Sequence, residues 1–153
     1  MKVALSAAVL MMLVWSGCNR SKSDTVVDVG DDPRIAEATA EAKQRWPEFV
    51  AAYNSRKPGM AFHVKAGFPI RSGPGNEHLW LSVDQITPTH VTGEVNNQVQ
   101  FDIGLKLGDT VTVPVSEIED WLYVIKAKNG EPVMTGGFSV KVIEEIQRSQ
   151  EKR

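Results

Sequence analysis

The residues best suited to catalysis lie near the middle of the chain, where Glu77 and His78 precede Ser82 and Asp84. Together they offer the acid, base and nucleophile of a hydrolytic site. Along one face of a strand, residues two positions apart are separated by about 7 Å and residues four apart by about 13 Å, whereas a nucleophile and its base meet at about 3 Å. A triad would need partners from other strands, so we interpret these residues first as the polar, solvent-facing side of a strand.

Carboxylates form a second candidate group, because Glu117, Glu119 and Asp120 lie together just before Trp121. A pair of carboxylates could perform acid–base chemistry. Such a run at a turn is more often a solvated cluster at the start of a helix, and that is the interpretation favoured here.

Aromatic residues form the third group. Trp80, Trp121 and Tyr123, with Gly136-Gly137 further along the chain, could line a groove for a peptide or a glycan, although core packing is the favoured interpretation for all three. The candidate binding residues are therefore Glu77, His78, Trp80, Trp121 and Tyr123.

The histidines do not predict a metal site. His63, His78 and His90 are the only three in the chain, and none lies at a close ligand spacing from another. Adjacent strands could still bring His63 and His78 side by side, but no cysteine or tight histidine pattern supports a zinc site. We expect neither a metal nor a cofactor.

Helices are predicted at the start of the domain. Asp32 and Pro33 are typical of a helix N-terminus, because an aspartate caps free N–H groups and a proline in the first position loses no hydrogen bond. Apolar residues then recur at helical spacing, namely Ile35, Ala38, Ala42 and Trp46. Pro47 disfavours helical geometry at Trp46, so we expect one amphipathic helix that kinks there.

From residue 60 the hydrophobic period changes to two, which predicts strands. We expect them at residues 60–68, 77–86, 90–96, 99–103, 110–113, 120–127 and 133–142, with a hairpin at Asn129-Gly130. Residues 144–153 are charged and should form a solvated helix. The fold class is therefore α+β, with the kinked N-terminal helix packed on a strongly curved antiparallel sheet that could form a small, partly closed barrel.

The predicted domain resembles a bacterial family of unknown function typified by YegJ. The resemblance covers about 110 positions and rests on an ordered set of short segments: Asp32-Pro33, Trp46-Pro47-Glu48-Phe49, Glu77-His78-Leu79-Trp80-Leu81, Lys106-Leu107-Gly108-Asp109, Val113-Pro114, Ile118-Glu119-Asp120-Trp121 and Gly136-Gly137. It implies a shared fold and an exported bacterial setting. It supplies no reaction and no catalytic residue.

The N-terminus indicates export. Residues 3–15 are apolar and would span about 20 Å as a helix, against a bilayer core of about 30 Å. They follow a single lysine, Lys2, which is typical of a cleavable signal peptide. The segment Leu13-Val14-Trp15-Ser16-Gly17-Cys18 resembles the lipobox of bacterial lipoproteins, although Trp15 stands where an aliphatic residue is preferred. The resemblance implies a diacylglycerol thioether on Cys18, and an ordinary secretory signal is the alternative.

Four segments follow from this interpretation: a signal peptide at 1–17, a lipidated flexible tether at 18–31, a single domain at 32–146 and a charged tail at 147–153. Asn19 follows the lipidated position in place of the aspartate that signals inner-membrane retention. We therefore expect a lipid-anchored protein of the outer membrane that faces the periplasm.

Composition narrows the classes of partner. Removing residues 1–17 takes away one of 17 basic residues and none of 19 acidic ones, so the net charge moves from −2 to about −3. Such a weakly acidic chain lacks the clustered lysine and arginine that nucleic-acid binding needs. Cys18 is the only cysteine, so we expect no internal disulfide.

Three classes of function are consistent with these features. A lipid-anchored binding or interaction module of the envelope, with a protein or glycan partner, is favoured because the predicted sheet carries no convincing catalytic set. The alternatives are an envelope hydrolase that uses Glu77, His78 and an acid from residues 118–121, and an immunity-like inhibitor of a toxin or wall enzyme.

The anchor provides the first test. Cys18→Ser removes the acceptor thiol, so we expect loss of palmitate labelling and release of the protein from membranes, since each buried acyl CH₂ contributes about 0.8 kcal/mol to anchoring. Asn19→Gln, which keeps the thiol, is the control. Unchanged membrane retention of the Cys18→Ser protein would show that another segment holds it there.

Overall fold

The computed structural model describes residues 32–150, so the predicted signal peptide and the whole predicted tether, which includes Cys18, lie outside the described residues. The chain begins with two helices, α1 (Pro33–Gln44) and α2 (Trp46–Asn54). The Asp32 carboxylate accepts a hydrogen bond of 3.0 Å from the Arg34 amide and caps α1. Arg45 separates the helices, because Pro47 has no N–H to continue the ladder of α1. The expected single kinked helix is thus two helices.

Six strands follow in one antiparallel sheet. In chain order they are β1 (Ala61–Pro69), β2 (Asn76–Ile86), β3 (His90–Val95), β4 (Thr110–Pro114), β5 (Ile118–Lys126) and β6 (Pro132–Gly136), with a 3-10 turn at Val115–Glu117 before β5. The order across the sheet is β4-β3-β2-β1-β5-β6. The sheet is open, and the expected partial barrel is wrong. Closure would require β4 to pair with β6, whereas β6 leads directly into the last helix, α3 (Phe138–Gln150).

The expected strand at 99–103 is wrong. This segment is a loop, and its amides at Gln100 and Phe101 donate to the Glu77 carboxylate instead of to a neighbouring strand. Its apolar residues contribute to the core instead, since Ile103 is buried and Val99 packs against the core. Apolar residues can alternate with polar ones in a loop that covers the core as well as in a strand, so periodicity alone does not distinguish a loop from a strand.

The expected strand at 133–142 ends early, at Gly136. Gly136 and Gly137 have φ values of +86° and +66°, which turn the chain out of the sheet and into α3. The first turn of α3 thus takes residues that were assigned to a strand. The helix continues to Gln150 through the expected domain boundary at 146.

An aromatic cluster fills the space between the helices and the sheet. Trp121 is fully buried at its centre, as predicted, and its indole N–H donates 2.8 Å to the carbonyl of Ala42 on α1. The rings of Phe49 on α2 and Phe138 on α3 each lie 5.3 Å from it. One side chain therefore contacts all three helices from the sheet.

Within residues 32–150, no helix combines the length and apolar character that crossing a membrane requires.

Trp121→Ala tests this role. Loss of the buried ring should leave a cavity and lower the free energy of unfolding by about 3–5 kcal/mol, measured in urea. Trp80→Ala, which removes a tryptophan that is only partly buried, should cost clearly less. A Trp121→Ala protein within about 1 kcal/mol of the parent would place the tryptophan outside the core.

Candidate ligand-binding cleft

A cleft of about 650 Å³ lies between α1, α3 and the adjoining strands β1, β2 and β5. Its walls combine charged, polar and apolar side chains: Ile35, Ala36, Thr39 and Lys43 from α1, Lys65, Gly67 and Pro69 from β1, Asn76 and His78 from β2, Glu117 from the 3-10 turn, Glu119 from β5, and Ser139 and Ile143 from α3. The volume is typical of small-molecule sites.

Lys65 lies in the middle of the sheet, where it pairs with Trp80 on β2 and with Asp120 on β5. Its amine is 3.4 Å from the Ser139 hydroxyl oxygen. Burial lowers the pKa of Lys65, although the negative charges of Glu119 and Asp120 oppose that shift. Lys65 is therefore a partly buried cation, and among the described residues its amine has no carboxylate within ion-pair distance.

His78 and Glu119 form a close pair at the same cleft. Nδ1 of His78 is 2.6 Å from Oε2 of Glu119, and the two side chains are 50% and 28% exposed. Because Nδ1 faces the carboxylate, Nε2 is the nitrogen that points away from it. The histidine is thereby oriented by an acid.

A bulge and a glycine make this pair possible. On β5, Asp120 pairs with Lys65 and Ile118 pairs with Ala66, so Glu119 is the extra residue of a β-bulge. A bulge redirects the side chain of its extra residue. Gly67 lies opposite His78, and a Cβ there would come within 3.0 Å of Oε1 of Glu119. The missing side chain therefore leaves room for Glu119 to reach across β1.

Asp120 is fully buried and caps α3 from the sheet. One carboxylate oxygen accepts from the amides of Trp121 (2.7 Å) and Phe138 (3.2 Å), and the other accepts from the amide (2.8 Å) and the hydroxyl (2.6 Å) of Ser139. The expected solvated acidic cluster is thus wrong for Asp120. Its negative charge does lie at the start of a helix, but that helix is α3, whose first residue is 18 positions further along the chain.

Glu77 is buried and does not join His78. Its carboxylate accepts hydrogen bonds of 2.6 Å and 3.0 Å from the amides of Gln100 and Phe101. Successive residues of a strand point to opposite faces, so Glu77 and His78 diverge. Of the three parts of the expected hydrolase site, the structure brings together only His78 and Glu119.

The aromatic candidates do not form one groove. Trp80 is the strand partner of Lys65 and lies on the same face of the sheet as that lysine. Trp121 is the partner of Val64, the residue before Lys65, and therefore lies on the other face. Tyr123 packs against the core, with its ring 5.5 Å from that of Phe62. Only Trp80 lies beside the strand position that carries the cleft lysine.

The remaining histidines are distant from the cleft pair. His63 pairs with Ser82 and lies four residues from Gly67, which is the partner of His78. Burial lowers the pKa of His63. Within residues 32–150, no group of three or more histidine, cysteine, aspartate or glutamate side chains is arranged to hold a metal ion.

The sequence interpretation missed Lys65, Ser139 and Gly67. Lys65 stands at a position that alternation assigns to the polar face, and there a lysine is normally solvated. Only the return of α3 over this face encloses it. The early end of β6 at the two glycines was the available signal for that return.

The profile of a bacterial protein family, described as "Uncharacterized protein conserved in bacteria (DUF2314)", matches residues 32–153. The chain belongs to this family. The family description carries no activity, and the closer kinship to YegJ stays a prediction. The match covers the cleft, the cap of α3 and the buried tryptophan.

A curated relative shares a shorter segment. It is the putative ankyrin repeat protein NMB1133/NMB1171 of Neisseria meningitidis serogroup B (strain ATCC BAA-335 / MC58), and it is 31% identical over 67 residues. That segment is 44% of this chain and 24% of the relative, so the chain spans about a quarter of the relative's length. No solved structure matches the chain.

Asp120→Asn tests the cap on which this family member's α3 depends. The amide keeps the size of the carboxylate, but it replaces one acceptor with a donor that faces the amides of α3. We expect the free energy of unfolding to fall by about 2–4 kcal/mol and the amide of Ser139 to exchange faster with solvent. Glu117→Gln changes an exposed carboxylate that takes no part in the cap, and it should alter the free energy of unfolding by less than about 0.5 kcal/mol. Equal stability of the two variants would contradict this role of Asp120.

Proposed function

We propose that this protein is a lipid-anchored binding module of the bacterial cell envelope and that the cleft between α1, α3 and the sheet is its ligand site. One observation carries the proposal. The cleft is lined by Lys65, a partly buried cation that has no carboxylate partner at ion-pair distance among the described residues. Buried charges in proteins are normally paired, so a bound ligand is a natural source of the missing partner.

The contacts favour binding over hydrolysis. The Ser139 hydroxyl donates a hydrogen bond of 2.6 Å to the buried Asp120 carboxylate, so its proton is already engaged there. Glu77 holds the loop at Gln100 and Phe101. The pair of His78 and Glu119 could orient a base, but a nucleophile beside that base is what an acyl-transfer site requires. Of the contacts that the hydrolase alternative requires, only the pair of His78 and Glu119 is therefore present.

The envelope address rests on the N-terminal segment. A signal peptide at 1–17 and a lipid on Cys18 would place the domain, which begins at Asp32, on the periplasmic side of the outer membrane. A tether of about 14 residues spans roughly 20 Å root-mean-square. A tether of that length would be enough to hold the domain clear of the lipid headgroups. An immunity-like inhibitor at the same location in the envelope stays a prediction.

Site-specific crosslinking in intact cells tests the proposal. A photoreactive amino acid at Thr39, which lines the cleft, should give a discrete adduct, whereas the same amino acid at the exposed Gln85 of β2 should not. Ala36→Trp, which places a large side chain in the cleft, should abolish the Thr39 adduct and leave membrane localisation unchanged. Equal labelling at the two positions, or an adduct that survives Ala36→Trp, would argue against a ligand in the cleft.

A further inference from the structure

We infer that the ligand is a compact zwitterion of the amino-acid or short-peptide type, with its carboxylate against the Lys65 amine and its ammonium group towards Glu117 and Glu119. The inference rests on the proposed function of the cleft and specifies the chemistry that the cleft recognises.

The carboxylate end follows from the environment of Lys65. An ammonium group has three hydrogen-bond donors, and the Ser139 hydroxyl at 3.4 Å accounts for one long contact. Burial lowers the pKa of Lys65, and an additional anion in the cleft would oppose that shift by favouring the charged form. Asp120 is the nearest strand partner of Lys65, but both of its oxygens are committed to α3 and Trp121. A ligand carboxylate would supply the Lys65 amine with the counter-ion that Asp120 does not provide.

The ammonium end follows from the acids on the same cleft. Glu119 uses Oε2 for His78, so Oε1 is the oxygen turned away from that contact. Glu117 is exposed at the start of β5. Each carboxylate oxygen can accept more than one hydrogen bond, so this wall suits a donor-rich cation.

Charge balance selects a zwitterion over simple ions. Lys43 and Lys65 carry two positive charges in the cleft, and Glu117 and Glu119 carry two negative ones. A dianion such as a phosphate monoester would meet repulsion from both acids, and a plain cation would meet Lys65 without a counter-ion. A molecule that carries both charges matches both walls. The volume of about 650 Å³ has room for a dipeptide.

The effect of pH has a defined direction. A bound carboxylate favours the protonated amine, so the affinity is greatest below the pKa of Lys65 in the free protein and falls as the pH rises through it. Lys65→Arg keeps its charge over this range. The affinity of the parent should therefore fall more steeply than that of Lys65→Arg between neutral and alkaline pH, and loss of the ligand's own ammonium charge is common to both proteins.

Calorimetric titration of the full chain in detergent with alanylalanine tests the inference. We expect a dissociation constant below about 1 mM for the dipeptide. Its C-terminal amide, its N-acetyl derivative and the Lys65→Met variant should each weaken binding by about tenfold or more, because each leaves one charge of the site unpaired. Lys126→Met, which removes an exposed lysine of β5 outside the cleft, should bind within about twofold of the parent.

The two stereoisomers separate the sources of the ligand. Preference for D,D-alanylalanine indicates a cell-wall peptide, and preference for the L,L form indicates a protein-derived peptide. A stability measurement separates a ligand site from a structural one, because Lys65→Met should leave the unfolding temperature unchanged or raise it when an unpaired cation is removed.

Three results would overturn the inference: equal binding of the amide and the free dipeptide, no binding of any form at about 10 mM, or a lower unfolding temperature for Lys65→Met with unchanged binding. A Thr39 adduct that Ala36→Trp abolishes would still support the cleft as a binding site in each of these cases. Absence of a Thr39 adduct in the protein without Ala36→Trp would remove the proposed function as well.

Discussion

The carboxylate of Asp120 fixes the relation between the sheet and α3, and the cleft depends on that relation. The first turn of any helix leaves N–H groups without partners, and burying them is costly. Asp120 satisfies the amides of Phe138 and Ser139 and brings a negative charge to the positive end of the helix dipole. A carboxylate is costly to bury, and its four hydrogen bonds are what offset that cost. Because α3 supplies Ser139 and Ile143 to the cleft, an unfastened α3 would remove one wall of the site.

Three successive residues of β5 serve three different parts of the molecule. Glu119 reaches the cleft through the bulge, Asp120 caps α3, and Trp121 fills the core. A regular strand would place Glu119 and Trp121 on the same face, so the bulge is what sends the acid to His78 while the indole stays inside. Gly67 completes the arrangement, because any side chain there would crowd the carboxylate of Glu119. The site and the core are therefore set by one irregularity in the sheet.

The regular parts of the fold could be predicted because they depend on local patterns. Alternation in β1 and β2, the turn at Asn129-Gly130 and the burial of Trp121 all follow from residue type and spacing. The bulge at Glu119 could not be predicted, since an extra residue is visible only against the register of the neighbouring strand. The capping role of Asp120 and the enclosure of Lys65 both depend on where α3 returns, which is a contact between residues distant in the chain. The candidate site was thus found only in part, through His78 and the acidic run.

The partial burial of Lys65 is informative because it disfavours the charged form of the amine in the free protein. Packing usually fills such a position with an apolar side chain, or pairs the cation with an acid at contact distance. Here one of the two neighbouring acids, Asp120, caps α3, and the other, Glu119, is paired with His78. Local consistency between sequence and structure is broken at one place in an otherwise well-satisfied domain, in which no buried side-chain nitrogen or oxygen of the described residues lacks a hydrogen-bond partner. Natural proteins concentrate such departures where function requires them, and this physical reasoning directs attention to the cleft rather than to the aromatic residues.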